Sequence, residues 1–314
     1  MNINEISMRD AYGEVLAELG DEYPELMVLD ADVSSSTRTV VFAEKYPERF
    51  FNVGVAEANM VDIAAGLALC GLKAIANTFA VFLSLKTTEQ IRNVICYNNL
   101  PVILVGSYAG LSDSYDGASH QSVEDIAVMR AIPNLNVIVP ADAIELKQAL
   151  IAAVQLNAPA YIRICRNPTP VLFGESEPFE FGKIRVVKEG HDITIATCGI
   201  VLSTAIEAIE ILKERGISVE LLNISTIKPL DKETLVRSVK KTKRVLTIEE
   251  HSVIGGLGSA VAEVLGKECP AFIDYIGIND TFTDTGAYDE LLVKHNISVD
   301  FIIEKATNML TKKC

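Results

Sequence analysis

The sequence predicts an α/β protein of two doubly wound units, each a mostly parallel sheet with helices on both faces. Three observations carry this. Short apolar runs of strand length alternate with stretches of helical apolar spacing along the chain. The alternation stops once, over 167–181, where three prolines interrupt it, and then restarts. The length of 314 residues suits two domains, at roughly 100–200 residues per domain. Alternation of this kind lays strands side by side and covers both faces with crossover helices.

In the first unit, helical spacing marks 8–19, 57–69, 84–98, 123–131 and 141–156. Between these lie strand-like runs at 26–30, 50–53, 73–79, 101–106, 136–139 and 160–164. The clearest is Pro101-Val102-Ile103-Leu104-Val105-Gly106. In the second unit, strands at 193–198, 218–223, 244–248 and 272–276 alternate with helices at 203–215, 232–241, 258–266 and 287–295. Open α/β sheets bind ligands beyond the carboxyl ends of their strands. Three segments stand at such ends: 30–36, 78–79 and 106–121.

Composition narrows the function classes. The formal net charge of −14 argues against nucleic acid and against anionic membrane surfaces as partners. The six cysteines (70, 96, 165, 198, 269 and 314) are widely spaced without a C-x-x-C pair, so they read as reduced, mostly buried thiols. There is no basic apolar leader and no long uncharged apolar run, so the expected location is the cytoplasm.

Four stretches carry chemistry. Asn52-Val53-Gly54-Val55-Ala56-Glu57-Ala58-Asn59-Met60 sets one carboxylate among small and apolar residues. A carboxylate entering a dry region needs a proton or a partner. Glu57 is therefore either a satisfied structural residue or a tuned acid. Phe79 and Phe82 stand three residues apart at a strand-to-helix turn, which puts both rings on one side. They serve either the core or a stacking pocket for a planar heterocycle. The loop 107–121 gathers Tyr108, Asp113, Tyr115, Asp116, Ser119, His120 and Gln121. A polar loop this dense after a buried strand is more often functional than not. The turn Gly255-Gly256-Leu257-Gly258 is either a tight strand-to-helix connection or an anion cradle. Val261 takes the place of the third small residue of the dinucleotide fingerprint. No His, Cys and carboxylate set has metal-ligand spacing.

Together these segments resemble the transketolase family of thiamine-diphosphate enzymes. Six motifs stand in the family's order: Asn52-Val53-Gly54-Val55-Ala56-Glu57; Thr78-Phe79-x-x-Phe82; Asp116-Gly117-Ala118-Ser119-His120-Gln121; Arg130-Ala131-Ile132-Pro133-Asn134; Val139-Pro140-Ala141-Asp142; and Glu249-Glu250-His251-x-x-x-Gly255-Gly256-Leu257-Gly258. The likeness covers nearly the whole chain and the second half of a full-length transketolase. It implies a pyrimidine-binding domain over 1–166, a linker over 167–184 and a smaller C-terminal transketolase-type domain over 185–314. The family's Gly-Asp-Gly motif and its downstream Asn, which hold the cofactor's diphosphate through Mg2+, are missing from this sequence. The resemblance therefore implies a split enzyme. A separate N-terminal subunit would carry the diphosphate-binding domain and the Mg2+, and this chain would self-associate within an α2β2 assembly.

Matching positions imply roles. Glu57 corresponds to the acid that hydrogen-bonds the pyrimidine ring nitrogen, with burial among Val55, Ala56 and Met60 helping it share a proton. Phe79 and Phe82 would stack on the pyrimidine, and Asp32 would lie near the cofactor. His120 would assist proton transfer and contact substrate. Asp116 would contact a donor hydroxyl. Arg9, Ser36 and Arg166 would hold a sugar phosphate, a task that suits the arginine fork. Ala56-Glu57-Ala58 replaces the usual Arg-Glu-His, Tyr108 replaces a phosphate-contacting histidine, and Tyr115 replaces an acidic residue. The implied reaction is transfer of a two-carbon ketol unit from a ketose phosphate to an aldose phosphate. The alternatives are the β subunit of a 2-oxo acid dehydrogenase and a non-catalytic paralogue. A catalytic role for His251 is not implied.

Overall fold

The computed structural model describes residues 5–312; Cys314 lies outside them. The strands, in chain order, are β1 (Glu5–Ser7), β2 (Leu26–Asp30), β3 (Phe50–Asn52), β4 (Lys73–Phe79), β5 (Val102–Ser107), β6 (Asn136–Ile138), β7 (Ala160–Arg163), β8 (Pro168–Pro170), β9 (Arg185–Lys188), β10 (Ile193–Thr197), β11 (Val219–Asn223), β12 (Thr226–Lys228), β13 (Arg244–Ser252) and β14 (Phe272–Ile278). A seven-stranded sheet has the order β12-β6-β7-β5-β4-β2-β3, and a five-stranded sheet has the order β14-β13-β10-β11-β9. All neighbours are parallel except β12 on β6 and β9 on β11. β1 and β8 form a small antiparallel pair.

The order of the larger sheet positions the site. β2 connects outward to β3 on one side, whereas β4 connects to β5 on the other. The connections part between β2 and β4, the kind of switch point beyond whose strand ends open α/β sheets bind ligands. β5 runs Val-Ile-Leu-Val-Gly-Ser with every residue buried, as a strand covered on both faces must. Helix Met8–Glu22 starts on Ser7, whose side chain accepts the Asp10 N–H, and buries Met8, Tyr12, Val15, Leu16 and Leu19. Among the described residues, no helix is long and apolar enough to cross a membrane.

Several elements differ from the sequence expectation. The single helix over 84–98 is instead Ala80–Lys86, Thr88–Gln90 and a π-helical turn Ile91–Cys96. Thr87 donates its hydroxyl to Leu83 O at 2.6 Å and Thr88 donates to Ser84 O, so side chains compete with the backbone ladder at the break. The segment read as linker begins with β8, and Asp142 accepts the Leu172 and Phe173 N–H groups at 2.7 and 3.0 Å. β12, from the second unit in sequence, pairs with the edge of the first sheet. One apolar cluster runs on from Leu29, Met60 and Val137 to Ala196, Leu222 and Ile227. Cys96, Cys165, Cys198 and Cys269 are buried thiols, whereas Cys70 is exposed.

Candidate functional site

β4 ends on Phe79 and helix Ala80–Lys86 begins at the next residue. The immediate turn throws Phe79 and Phe82 to the same side, with centroids 6.0 Å apart and planes at 29°. Tyr108 follows β5 and stacks on Phe79 at 4.6 Å. It holds a left-handed φ of 60°. The His120 ring meets Phe82 edge-on at 5.2 Å and lies 6.4 Å from Phe79. The loop 107–121 thus folds back over the two phenylalanines.

Glu57 is the first residue of helix Glu57–Leu69 and is 5% exposed. The N-terminal helix dipole favours its charge. Lys86 Nζ donates to Glu57 Oε1 at 2.8 Å and stands 4.3 Å from the Phe82 centroid. Lys86 escaped the sequence reading; its place four residues after Phe82, one helical turn on, was the available signal. Met60 is buried beside Glu57 in sequence, as expected, but Val55 is 73% exposed. Gly54, just before it, holds a left-handed φ of 74°.

Two guanidinium groups flank Tyr108. Arg9 Nη1 donates to its hydroxyl at 2.6 Å. The Arg9 and Arg166 Cζ atoms lie 5.7 and 5.0 Å from its centroid. Arg166 Nη1 also pairs with Asp113 at 3.2 Å. Burial, then the neighbouring Asp116 carboxyl, push Asp113 up to about 7 against the pull of Arg166. Near neutrality Asp113 is therefore held in part as the neutral acid. Arg9 Nε, Ser107 Oγ, Asp113 Oδ2 and Gln121 Oε1 are buried without partners, so residues around the cluster keep unspent hydrogen-bonding capacity.

Glu57, Lys86, Phe82, Phe79, Tyr108, Arg9, Arg166, Asp113 and Asp116 form one continuous run of contacts, with His120 on the rings. Asp32 and Ser36 stand on the adjoining end of β2. Asp32 accepts from Asn52 Nδ2 at 2.8 Å, and Ser36 is half-buried in helix Ser34–Thr37. The buried Asp30 carboxylate anchors that segment through Val33 N–H and the Thr37 and Thr39 hydroxyls. Leu85, at 51% exposure, and Tyr115, at 68%, leave the cluster on an open face. A cavity of about 590 Å³ lies elsewhere, between residues of the 172–187 segment, Glu145 and Ser225. Among the described residues, no group of three His, Cys, Asp or Glu side chains is placed to hold a metal ion.

The second unit resolves two open points. The Gly256-Leu257-Gly258 turn does cradle an anion, but the anion is the chain's own Glu249, which accepts the Leu257 and Gly258 N–H groups at 2.6 and 2.8 Å. His251 is fully buried, and burial lowers it to about 4, so its ring is neutral. Nδ1 donates to Ser252 O at 2.7 Å and Nε2 accepts the Ala127 N–H at 3.3 Å.

A paired-phenylalanine shelf with a buried helix-start glutamate, set at a sheet switch point, is the layout that the sequence resemblance implies for a pyrimidine-binding domain. The family model described as transketolase, pyrimidine binding domain, matches residues 4–171, and that of the transketolase C-terminal domain matches 182–302. The chain belongs to the transketolase family. It is 44% identical to a Methanocaldococcus jannaschii protein that carries the provisional name transketolase C-terminal section, over 98% of this chain and 97% of that one. It is 37% identical to a 6-deoxy-6-sulfo-D-fructose transketolase subunit of Clostridium sp. (strain MSTE9), over 100% of this chain and 97% of that one. A solved structure titled as a split gene transketolase, inactive beta4 tetramer, superposes with a TM-score of 0.92 at 44% identity, covering 98% of this chain and 100% of that chain.

Proposed function

We propose that this chain is the C-terminal subunit of a two-chain transketolase. It holds the pyrimidine end of thiamine diphosphate and the anionic ketose donor, while a partner chain supplies the diphosphate-binding domain and its Mg2+. The observation that carries this reading is the unbroken run from Glu57 through the Phe79–Phe82 shelf to the Arg9–Tyr108–Arg166 group. An aromatic shelf, a carboxyl beside it and unpartnered buried polar atoms suit a planar, nitrogen-bearing ring and a hydroxylated substrate.

When bound, thiamine diphosphate supplies carbanion stabilisation for the two-carbon fragment. The chain's own residues do the rest. Phe79 and Phe82 grip the ring by its faces. Glu57 exchanges the Lys86 ammonium for the ring nitrogen and holds a proton at its carboxyl oxygen toward that nitrogen. Asp32 lies beside the ring. His120 moves a proton at its imidazole nitrogen, with Ser119 Oγ 2.9 Å from Nδ1 to orient it. Asp116 accepts from a donor hydroxyl. Arg9, Arg166 and Ser36 fix the donor's anionic end by charge-assisted bonds.

A second donor class is favoured by one observation. Asp113 takes up one Arg166 Nη1 at 3.2 Å, so the guanidinium offers an anionic donor fewer free N–H groups. A singly charged sulfonate, such as that in the name of the Clostridium relative, suits such a clamp as well as a phosphate does. Co-purification of this chain with its partner, followed by ketol-transfer assays on ketose phosphates and sulfonates, tests the reading. Ketol transfer by the pair and by neither chain alone supports it. Recovery with a lipoyl-bearing acyltransferase core would replace it with a 2-oxo acid dehydrogenase.

A further inference from the structure

The loop carrying Asp113, Asp116 and His120 belongs in sequence to the first unit, yet it is tied down by the second. Leu111 N–H donates to Glu250 Oε1 at 2.7 Å in a fully buried bond. Gly110 has φ 63°, and a Cβ there would stand 2.5 Å from the Glu250 carboxyl carbon, so the loop backbone lies directly against that carboxylate. Gly286 N–H donates to Ser114 O at 3.1 Å. Gln121 Nε2 donates to Asp284 O at 3.0 Å. At Gly117, φ 76°, a Cβ would stand 2.5 Å from Thr285 Oγ1. Ser252 N–H donates to Val123 O at 2.8 Å just beyond the loop.

Glu250 is itself fixed from the first unit. The buried Arg163 donates to Glu250 O at 2.9 Å, to Ser122 O at 3.1 Å and to Asp125 at 2.9 Å. The brace is therefore reciprocal: a first-unit arginine holds the strand that carries Glu250, and Glu250 holds a first-unit loop. None of these contacts touches Phe79, Phe82 or Glu57; the loop meets the shelf through its own Tyr108 and His120.

We propose that Glu250 is a positioning residue. With the 284–286 backbone, it holds the loop 107–121 in the shape that presents Asp116 and His120 to the donor. The C-terminal domain thereby sets donor affinity without touching the donor. The proposal rests on the ketol-transfer reading for its kinetic part and on geometry for the brace.

Glu250→Ala removes the acceptor of the Leu111 N–H, whereas Glu250→Gln keeps an oxygen in its place. Hydrogen exchange on the purified chain should show the 107–121 amides exchanging at least tenfold faster in Glu250→Ala, with Glu250→Gln restoring most of the protection. In the assembled complex, with xylulose 5-phosphate as donor, Glu250→Ala should raise the donor KM at least fivefold, and by a larger factor than the thiamine diphosphate Kd. Unchanged exchange in 107–121, a smaller rise in KM, or an equal loss of cofactor affinity overturns the proposal. Should Glu250→Ala fail to fold, Gln121→Leu removes the Asp284 tie at similar volume and is held to the same exchange and KM criteria. A parent complex that turns over neither ketose phosphate nor sulfonate refutes the ketol-transfer reading; the exchange result still decides the brace.

Discussion

Phe79→Ala probes the centre of the site, because Phe79 serves two neighbours at once. Its ring lies 4.6 Å from Tyr108 and 6.0 Å from Phe82. Truncation removes one face of the heterocycle shelf. An aromatic–base stack contributes about 1–3 kcal/mol by alanine substitution, which is roughly 5- to 150-fold in Kd. Truncation also strips Tyr108 of its stacking partner, a pair worth about 0.5–1.5 kcal/mol beyond area burial. Tyr108 is the group on which Arg9 and Arg166 rest. That second loss should reach the anion clamp and raise the donor KM roughly 2- to 10-fold. The assay is thiamine diphosphate titration of the assembled complex, followed by donor kinetics at saturating cofactor. Phe79→Leu, which keeps volume without the π face, should recover the fold fully and the cofactor affinity only in part. A cofactor Kd within twofold of the parent in Phe79→Ala would refute the shelf. A large change in Kd with no change in donor KM would refute the coupling through Tyr108.

Glu57→Gln should lower ketol transfer at saturating cofactor by roughly 10²–10⁴-fold, the usual span for an acid–base group. It should leave the fold intact, since the half-exposed Lys86 pair contributes at most about 1 kcal/mol. Unchanged turnover would remove Glu57 from the chemistry. Asp125→Ala leaves the buried Arg163 Nε and the Tyr161 hydroxyl without their shared acceptor. Removing one partner of a buried ion pair costs about 3–5 kcal/mol; urea unfolding checks this, and a loss below about 1 kcal/mol contradicts it. Asp113 is raised to about 7 in the fold from an unfolded value near 3.8. The native chain therefore binds more protons than the unfolded chain between pH 4 and 7. The stability this proton contributes is full below pH 4 and is lost as pH rises to 7. Burial also pushes Glu249 and Glu250 up to about 7 and raises Asp30, Glu124 and Glu145, so Asp113 is one of several carboxyls that give the slope this sign. Asp113→Asn should remove one proton's share of the slope, read from urea midpoints at pH 5 and pH 8; an unaltered slope would show that Asp113 is ionised across that range.

Much of the fold was legible because its signals were local. β5 reads as a buried strand from six consecutive residues, and helix Met8–Glu22 reads from its apolar spacing and its Ser7 cap. Phe79, Phe82 and Glu57 were legible for the same reason: each sits where a strand hands over to a helix. What escaped depends on partners distant in sequence. Lys86 reads as a surface lysine until helix Ala80–Lys86 lays it beside Glu57, 29 residues back. Glu250 reads as part of a strand end until Leu111, 139 residues away, needs an acceptor. The anion at the Gly256–Gly258 turn was invisible as a ligand because it is Glu249, on the strand that leads into the turn. The closing helix Val299–Thr311 was missed although Ser298 caps it and Ile302, Ile303, Ala306 and Met309 give it an apolar face.

β12 has a consequence for how such chains can be rearranged. Thr226 pairs with Ile138, and Val139 N–H donates to Ser225 O at 2.7 Å, so the outermost rung of the first sheet is lent by the second unit. The covalent boundary and the hydrogen-bonded boundary fall at different places. A chimaera that swaps everything after the 167–184 segment also swaps this borrowed rung, and its grafted 226–228 must match the register and side-chain volumes of a foreign β6. A fragment that stops at 184 leaves β6 with a bare edge, the state in which sheets recruit strands from other molecules. The two units are therefore coupled through this rung, and recombination between relatives should succeed only where residues 136–139 and 225–228 travel together.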